Sequence, residues 1–287
     1  MKKFLAGLFL SILVLALAAC GTDKKDGAGS NNSDGTDGDA KSEEKVTLTV
    51  GASNTPHAVI LKQAQPILAE QGIDLQIEKY QDYVLPNQDL DTKDLDANYF
   101  QHIPYLEGEI TAKGYDFVNA GNIHVEPIGI YSKKYKSLEE LPKGATILLS
   151  NSVSDHGRML TLLEEKGLIK LADGVDKNAA ELKDVVENPK KLVFDANTAP
   201  EMLVTMYEND EGDAVLINGN YAIDNGLNPL KDAISLEDSK SAYINVIAVR
   251  AGDETKPEIK KLVEVLTSKE IQDFMLEEWK GSVIPFK

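Results

Sequence analysis

From Val46 onward, runs of strand character alternate with stretches of helical periodicity, and this order leaves few architectures open. Val46-Thr47-Leu48-Thr49-Val50 alternates apolar and polar residues and predicts a first strand, closed by Gly51. Ile60, Ala64, Ile67 and Leu68 then share one helical face, in a helix that Pro66 is expected to kink or shorten. Leu75-Gln76-Ile77-Glu78 alternates again, and Phe117-Val118, Val125 to Tyr131, Thr146 to Leu149, Asp213 to Ile217 and Ile244 to Val249 follow as apolar segments. A helix is predicted from about Arg158 to Lys166, ended by Gly167. Near the C-terminus Ile259, Leu262, Val263 and Leu266 fall on one face behind Pro257, a favourable first-turn residue. Thr267-Ser268-Lys269-Glu270 reads as a capping box for a second helix carrying Ile271, Phe274 and Met275. Strands interleaved with helices imply a mainly parallel α/β sheet. A length of 287 residues accommodates one large domain or two modest ones.

The N-terminus is of another kind. Met1-Lys2-Lys3 precedes the uncharged run Phe4 to Ala19, which ends Leu17-Ala18-Ala19-Cys20. A basic start, a short apolar core and small residues before a cut site make an export signal. Sixteen residues are short for a bilayer-spanning helix, which needs about 20. The ending resembles the lipobox of bacterial lipoproteins, which implies cleavage before Cys20 and diacylation of its thiol. Residues 1–19 are therefore expected to be a signal peptide and residues 20–45 a lipidated cysteine with a flexible tether. Two acyl chains hold a protein on a membrane where one would be marginal. The tether is rich in Gly, Ser, Asn, Asp and Lys and cannot bury enough apolar surface to offset ordering entropy. Cys20 is the only cysteine, so neither an internal disulfide nor a cysteine metal site is available. With 30 Lys and Arg against 47 Asp and Glu, the net charge of −17 argues against nucleic-acid binding.

Three constellations could carry chemistry. The first is the loop Ser150 to Gly157 followed by Arg158, between a predicted strand and a predicted helix. Free N–H groups and the helix dipole favour an anion there. Arg158 in a first turn opposes that dipole, a conflict that a bound carboxylate would relieve; a surface arginine paired with Asp155 or a nearby Glu fits the position as well. The second is the aromatic cluster Tyr83, Phe100 and Tyr105 with His102, which reads either as core packing or as an apolar slot with a hydrogen-bonding histidine. The third is Asn218 with Asn245, each following an apolar strand, which suit an ordinary turn or the head group of a ligand.

Signatures of nucleophilic, phosphate-binding or zinc-peptidase chemistry are absent from the sequence. The histidines His57, His102, His124 and His156 are dispersed without local metal spacing, and a metal site would require them to converge in space. No cofactor or metal is expected.

Taken together, Asp82-Tyr83-Val84-Leu85-Pro86-Asn87, Asp96-Ala97-Asn98-Tyr99-Phe100-Gln101-His102, Pro104-Tyr105-Leu106, Gly157-Arg158 and Val186-Glu187-Asn188-Pro189 resemble the methionine-binding lipoproteins of bacterial ABC importers, the MetQ/NlpA type of solute-binding protein. The resemblance runs through nearly the whole folded part. It implies a two-lobed α/β fold of the periplasmic-binding-protein kind, with two crossing segments near Val125–Tyr131 and Tyr243–Val249 and a ligand cleft between the lobes. Lobe 1 would comprise residues 46–128 and 246–287, and lobe 2 residues 129–245. The resemblance further implies that Arg158 holds a ligand carboxylate, that Asn218 and Asn245 bond the head group, and that Tyr83, Phe100, Tyr105 and His102 surround the side chain. Thioether sulfur sits favourably against aromatic rings. The implied partners are L-methionine or a related small molecule, an ABC permease with its ATPase subunits, and the membrane through diacylglyceryl Cys20.

Two departures from the usual pattern stand out. Asn151-Ser152-Val153-Ser154-Asp155 precedes the Gly-Arg pair where Asn-Asp-Pro/Ala-Thr-Asn is customary, and Ala199-Pro200 is followed by Glu201-Met202-Leu203 where Leu-Pro-Arg is common. Asp155 thus places a carboxylate beside Arg158, to bind a ligand ammonium, to pair with Arg158, or to suit a methionine-containing dipeptide. A metal receptor of the same fold, or an exported hydrolase with His102 as general base, are the other readings.

Overall fold

The computed structural model describes residues 45–238 and 242–287. The expected signal peptide, Cys20 and the tether as far as residue 44 lie outside the described residues.

Strand β1 (Val46–Ser53), helix α1 (Val59–Glu70) and strand β2 (Ile73–Tyr80) open the first of two main sheets. Helix α2 (Leu85–Thr92), strand β3 (Ala97–His102), helix α3 (Ile103–Lys113) and strand β4 (Phe117–Val125) follow. The second sheet begins with β5 (Gly129–Tyr131) and β6 (Thr146–Ser150), followed by helix α4 (Val153–Glu165). Strands β7 (Lys170–Leu171) and β8 (Val185–Glu187) form a separate small ladder. Then come β9 (Val193–Thr198), α5 (Leu203–Glu208), β10 (Ala214–Ile217), α6 (Gly219–Asp224), α7 (Pro229–Asp232) and β11 (Ser235–Leu236). Strand β12 (Ile244–Arg250) returns to the first sheet, and α8 (Pro257–Leu266), α9 (Lys269–Trp279) and β13 (Ile284–Pro285) complete it. The strand orders are β13-β4-β12-β3-β1-β2 and β11-β5-β10-β6-β9.

The expectation of a mainly parallel sheet needs correction. β1 runs parallel to β2 and β3, and β6 to β9 and β10. β12, however, is antiparallel to β3 and β4, β13 to β4, and β5 to β10 and β11. The cause is connectivity: β4 leads out of the first sheet and β12 leads back, so these neighbours must run in opposite directions. The outward passage lies between Val125 and Gly129. The return lies between Leu236 and Ile244, ahead of the Tyr243–Val249 stretch expected for it, because Val246 to Val249 are buried strand residues at the centre of the first sheet.

Each sheet has its own core. Under the first, Leu48, Val50 and Ile73 pack with Ile60, Leu61 and Leu68 of α1 and with Ile259, Leu262 and Leu266 of α8. Under the second, Ile147 and Leu149 pack with Met159, Leu160 and Leu163 of α4. Burying side chains of this size stabilises by about 1.5–3 kcal/mol each, which is why the apolar stripes read from the sequence dictate the packing.

Other local readings change for identifiable reasons. Gly51 does not close β1: the strand continues to Ser53, and a Cβ at Gly51 would collide with the side chains of Leu95 and Tyr80. Glycine there permits close packing. Helix α1 runs on through Pro66, held by a buried face of Ile60, Leu61, Ala64 and Leu68. Helix α9 is capped by Ser268, whose hydroxyl accepts from the Ile271 N–H, so the cap sits one residue later than the Thr267-to-Glu270 box. No helix of the described residues is long and apolar enough to cross a membrane.

Candidate functional site

Helix α4 starts at Val153, five residues before Arg158. The arginine therefore lies in the second turn, and the expected conflict with the helix dipole does not arise. Asp155 occupies the first turn, where a negative charge is favoured. The Ser-Val-Ser-Asp-His-Gly text concealed this start, since such residues are as common in loops as at helix beginnings.

A partly open cavity is lined by Tyr83, Phe100, Gln101, His102, Tyr105, Glu126, Arg158, Asn218, Gly219, Asn220 and Asn245. The structure thus brings together every ligand-site residue singled out in the sequence. Strand β3 and helix α3 supply Phe100, His102 and Tyr105, the turn before α2 supplies Tyr83, and β12 supplies Asn245. From the second sheet come Arg158 on α4 and Asn218 at the end of β10.

Three rings form one wall. Centroids of Tyr83 and Phe100 are 5.9 Å apart, those of Tyr83 and Tyr105 5.8 Å, and those of Phe100 and Tyr105 6.0 Å. The spacing is that of favourable aromatic contact. The hydroxyls turn outward from the wall: Tyr105 donates to the carbonyl oxygen of Tyr83 at 2.9 Å and Tyr83 to Asn220 Oδ1 at 2.6 Å.

Opposite charges and amides make the other wall. Arg158 is only 5% exposed, so it is no surface residue, yet it is paired. Its Nη2 donates to the backbone oxygen of Glu126 at 2.9 Å and to the carboxylate of Glu237, and its Nη1 lies 3.9 Å from Asp155. The guanidinium stacks over Tyr243 with its carbon 4.5 Å from the ring centroid. Its Nε is buried without a hydrogen-bond partner. Asp155 accepts from His102 Nε2 at 2.9 Å and from Asn218 Nδ2 at 3.0 Å. Burial alone would raise its pKa; the His102 bond, the Arg158 charge and the Asn218 bond outweigh it and hold the carboxyl down at about 2. His102 caps α3, its Nδ1 accepting from the Tyr105 N–H at 3.1 Å, so both ring nitrogens are engaged.

Asn218 is revealing. It stands at the N-cap of α6, where asparagine ordinarily bonds the first helical N–H groups, yet its side chain makes no cap bond. The amide turns to Asp155 instead, and its Oδ1 is buried without a partner. A buried polar atom left in this way costs free energy unless a ligand completes it.

Sequence reasoning gave no role to Gln101, Glu126, Gly219 or Asn220. Glu126 was the one acidic residue in an otherwise apolar crossing, which was a usable signal. Gly219 is required by space, since a Cβ there would come within 2.9 Å of Glu126 Cβ. Asn220 showed only its nearness to Asn218.

The histidines are less dispersed than expected. His57 and His124, distant in sequence, meet at Glu126, with one donor-type atom from each within 4.8 Å of the others. Among the described residues only this group has the composition of a cation site. Its facing atoms are already joined, however: His124 Nε2 lies 2.6 Å and His57 Nε2 3.3 Å from Glu126 Oε1. His102 and His156 stand apart, the latter bonded to the carbonyl oxygen of Ser150 at 2.9 Å. Burial lowers the pKa of His57 to about 4 and of His124 to about 3, from an ordinary 6.5, so both are neutral.

Known proteins resemble this chain over most of its length. The model of the NlpA lipoprotein family matches residues 48–287. The chain is 49% identical over 287 residues to the methionine-binding lipoprotein MetQ of Bacillus subtilis, covering 99% of each. It is 38% identical over 270 residues to the D-methionine-binding lipoprotein MetQ of Escherichia coli, covering 94% of this chain and 93% of that one. Its fold matches that of a nutrient-binding protein from Burkholderia cenocepacia solved with bound methionine, with a TM-score of 0.79, 41% identity, and coverage of 84% of this chain and 100% of that one.

Proposed function

The chain belongs to the NlpA lipoprotein family, and from that premise we propose that it is the substrate-binding lipoprotein of an ABC importer, a receptor and not an enzyme, which captures L-methionine or a close derivative and delivers it to a membrane permease and its ATPase subunits. One observation carries the reading: a buried cationic donor, Arg158 Nε, and a buried acceptor, Asn218 Oδ1, both without partners, belong to a cavity whose other wall is the Tyr83–Phe100–Tyr105 cluster. An amino acid needs a donor for its carboxylate and an acceptor for its ammonium. Arg158 takes the first role; Asn218 Oδ1 and the carboxylate of Glu126 take the second. The rings receive the thioether, each sulfur contact contributing about 0.3–1.5 kcal/mol. His102 fixes Asp155 and through it Asn218.

In this reading residues 46–128 form one lobe with the chain from Ile244 onward, where β12 begins, in place of the expected residue 246; the residues between form the other lobe, and the two close over the ligand. The Tyr83 bond to Asn220 and the 3.1 Å bond from the Tyr221 hydroxyl to the Gln81 oxygen are the latches of the closed form. Diacylglyceryl Cys20 anchors the protein to the extracytoplasmic face of the cell membrane.

Against the metal reading, the facing atoms of His57, His124 and Glu126 are already paired with one another, and His102 and His156 stand apart. The hydrolase reading loses its base, since both nitrogens of His102 are engaged. A methionine-containing dipeptide is the second reading, supported by a groove that shares Tyr83 and Tyr105 with the cavity and is lined further by Val84, Val153 and Pro200. Titration calorimetry on ligand-stripped protein decides: saturable one-to-one binding of L-methionine is expected, and heat with a methionyl dipeptide but none with L-methionine would replace the first reading by the second.

A further inference from the structure

Behind Glu126 and Asn245 of the cavity wall lie three buried polar side chains to which the proposed function gives no role, Tyr99, His124 and His57. With those two they form one chain that runs from Tyr99 through His124, Glu126 and His57 and ends on Asn245. Strand register assembles it. On β12, Asn245 is paired across to His102 of β3 on one side and to His124 of β4 on the other. His57 comes from the turn between β1 and α1, and its ring sits edge-on to Tyr99, with centroids 4.7 Å apart. His57, Tyr99 and His124 are at most 1% exposed.

The direction of each hydrogen bond can be worked out from one end. Burial keeps the phenol of Tyr99 protonated, so its hydroxyl donates to His124 Nδ1. A neutral imidazole that accepts at Nδ1 carries its proton at Nε2, which here donates to Glu126 Oε1. The same carboxylate oxygen stands 3.3 Å from His57 Nε2. Burial raises the pKa of the Glu126 carboxyl; in its ionised form both oxygens only accept, so His57 Nε2 beside it bears the proton. That N–H lies 3.0 Å from the side-chain amide of Asn245 and can meet only its oxygen, Oδ1. His57 Nδ1, left as a lone pair, has no partner.

We propose that His57 is a positioning residue of the ligand site, which holds Asn245 with its carbonyl oxygen toward the sheet so that the amide offers N–H donors, and not an acceptor, to the ligand carboxylate. The inference rests on the amino-acid-binding reading and deepens it: an asparagine could otherwise serve either end of an amino acid, and the chain from Tyr99 fixes which. Asn218, with Nδ2 bonded to Asp155 and Oδ1 open, presents the opposite polarity. The two amides thus read the two ends of the ligand.

The test uses the full-length lipoprotein in detergent, stripped of ligand, titrated with L-methionine and with L-methioninamide, in which an amide replaces the carboxylate. His57→Leu should weaken L-methionine at least tenfold and shrink its advantage over L-methioninamide, while His57→Gln, which keeps a donor near Nε2, should restore most of both. Asn245→Asp decides independently should His57→Leu fail to give a cooperative melt. An acidic side chain of the same shape keeps an acceptor for His57 but turns an acceptor to the ligand, so L-methionine should weaken about a hundredfold and L-methioninamide far less. Unchanged affinity and preference in a folded His57→Leu protein, or near-parental L-methionine binding by Asn245→Asp, would overturn the positioning role. Failure of the parent protein to bind either compound would instead reject the amino-acid reading.

Discussion

Replacing Arg158 by alanine is expected to weaken L-methionine binding by about 2–4 kcal/mol, roughly 30- to 1,000-fold, the scale for removing one partner of a buried charged pair. The arginine is almost wholly buried. Its loss leaves Glu237 without this partner and the ligand carboxylate without a cation. Arg158→Lys keeps the charge but loses the planar fork and the stacking on Tyr243, so an intermediate loss is expected. Calorimetry on both variants checks the order, with alanine weaker than lysine and lysine weaker than the parent. Equal affinity in all three would place the carboxylate elsewhere.

The second large effect concerns stability. Asp155→Ala should destabilise the ligand-free protein by about 3–5 kcal/mol, because it strands His102 Nε2 and Asn218 Nδ2, two buried donors, beside the charge of Arg158. Urea unfolding measures this directly. The acid sensitivity follows from the same group. Its folded-state pKa of about 2 lies below the ordinary 3.8, so the unfolded chain takes up the proton first as pH falls. The stabilisation is complete above pH 3.8 and is lost as pH drops through about 2. The Ala variant should lack that component. A variant as stable as the parent would mean that the donors find new partners at no cost. Asp155 is also where the sequence leaves its family's usual pattern, and in the structure it holds Asn218 and does not face the cavity.

How much could be read beforehand depends on where the information resides. The stripes of α1 and α8 were legible because a helix that buries one face must repeat its apolar residues. Strand β3 was not. Every residue of it is buried, including Asn98 and Gln101. These bond to each other and to Asn87, with Asn98 Nδ2 and Gln101 Nε2 each 2.8 Å from Asn87 Oδ1. A polar group satisfied in this way carries little penalty inside a sheet, and the alternation on which a strand reading relies disappears. The family motif identified the segment where periodicity could not.

The site divides similarly. Arg158 could be singled out as a cation at the expected start of a helix, and the three aromatic residues because clustered rings are chemically conspicuous. Glu126, a charge in an apolar crossing, could have been noticed as well. The meeting of His57 with His124 had no local signature, for it depends on β4 and β12 running antiparallel and on the turn after β1 passing over them. Arg158 itself was found for a partly mistaken reason: the dipole conflict that first drew attention to it vanished once α4 began at Val153. Its burial and its incomplete hydrogen bonding are what support the assignment.

The most direct measurement is a crystal structure of the protein grown with L-methionine. The ligand should lie in the cavity with its carboxylate against Arg158 and the N–H groups of Asn245, its ammonium against Asn218 Oδ1 and Glu126, and its sulfur among Tyr83, Phe100 and Tyr105. A structure in which Arg158 remains committed to Glu237 while methionine occupies another place would contradict the account.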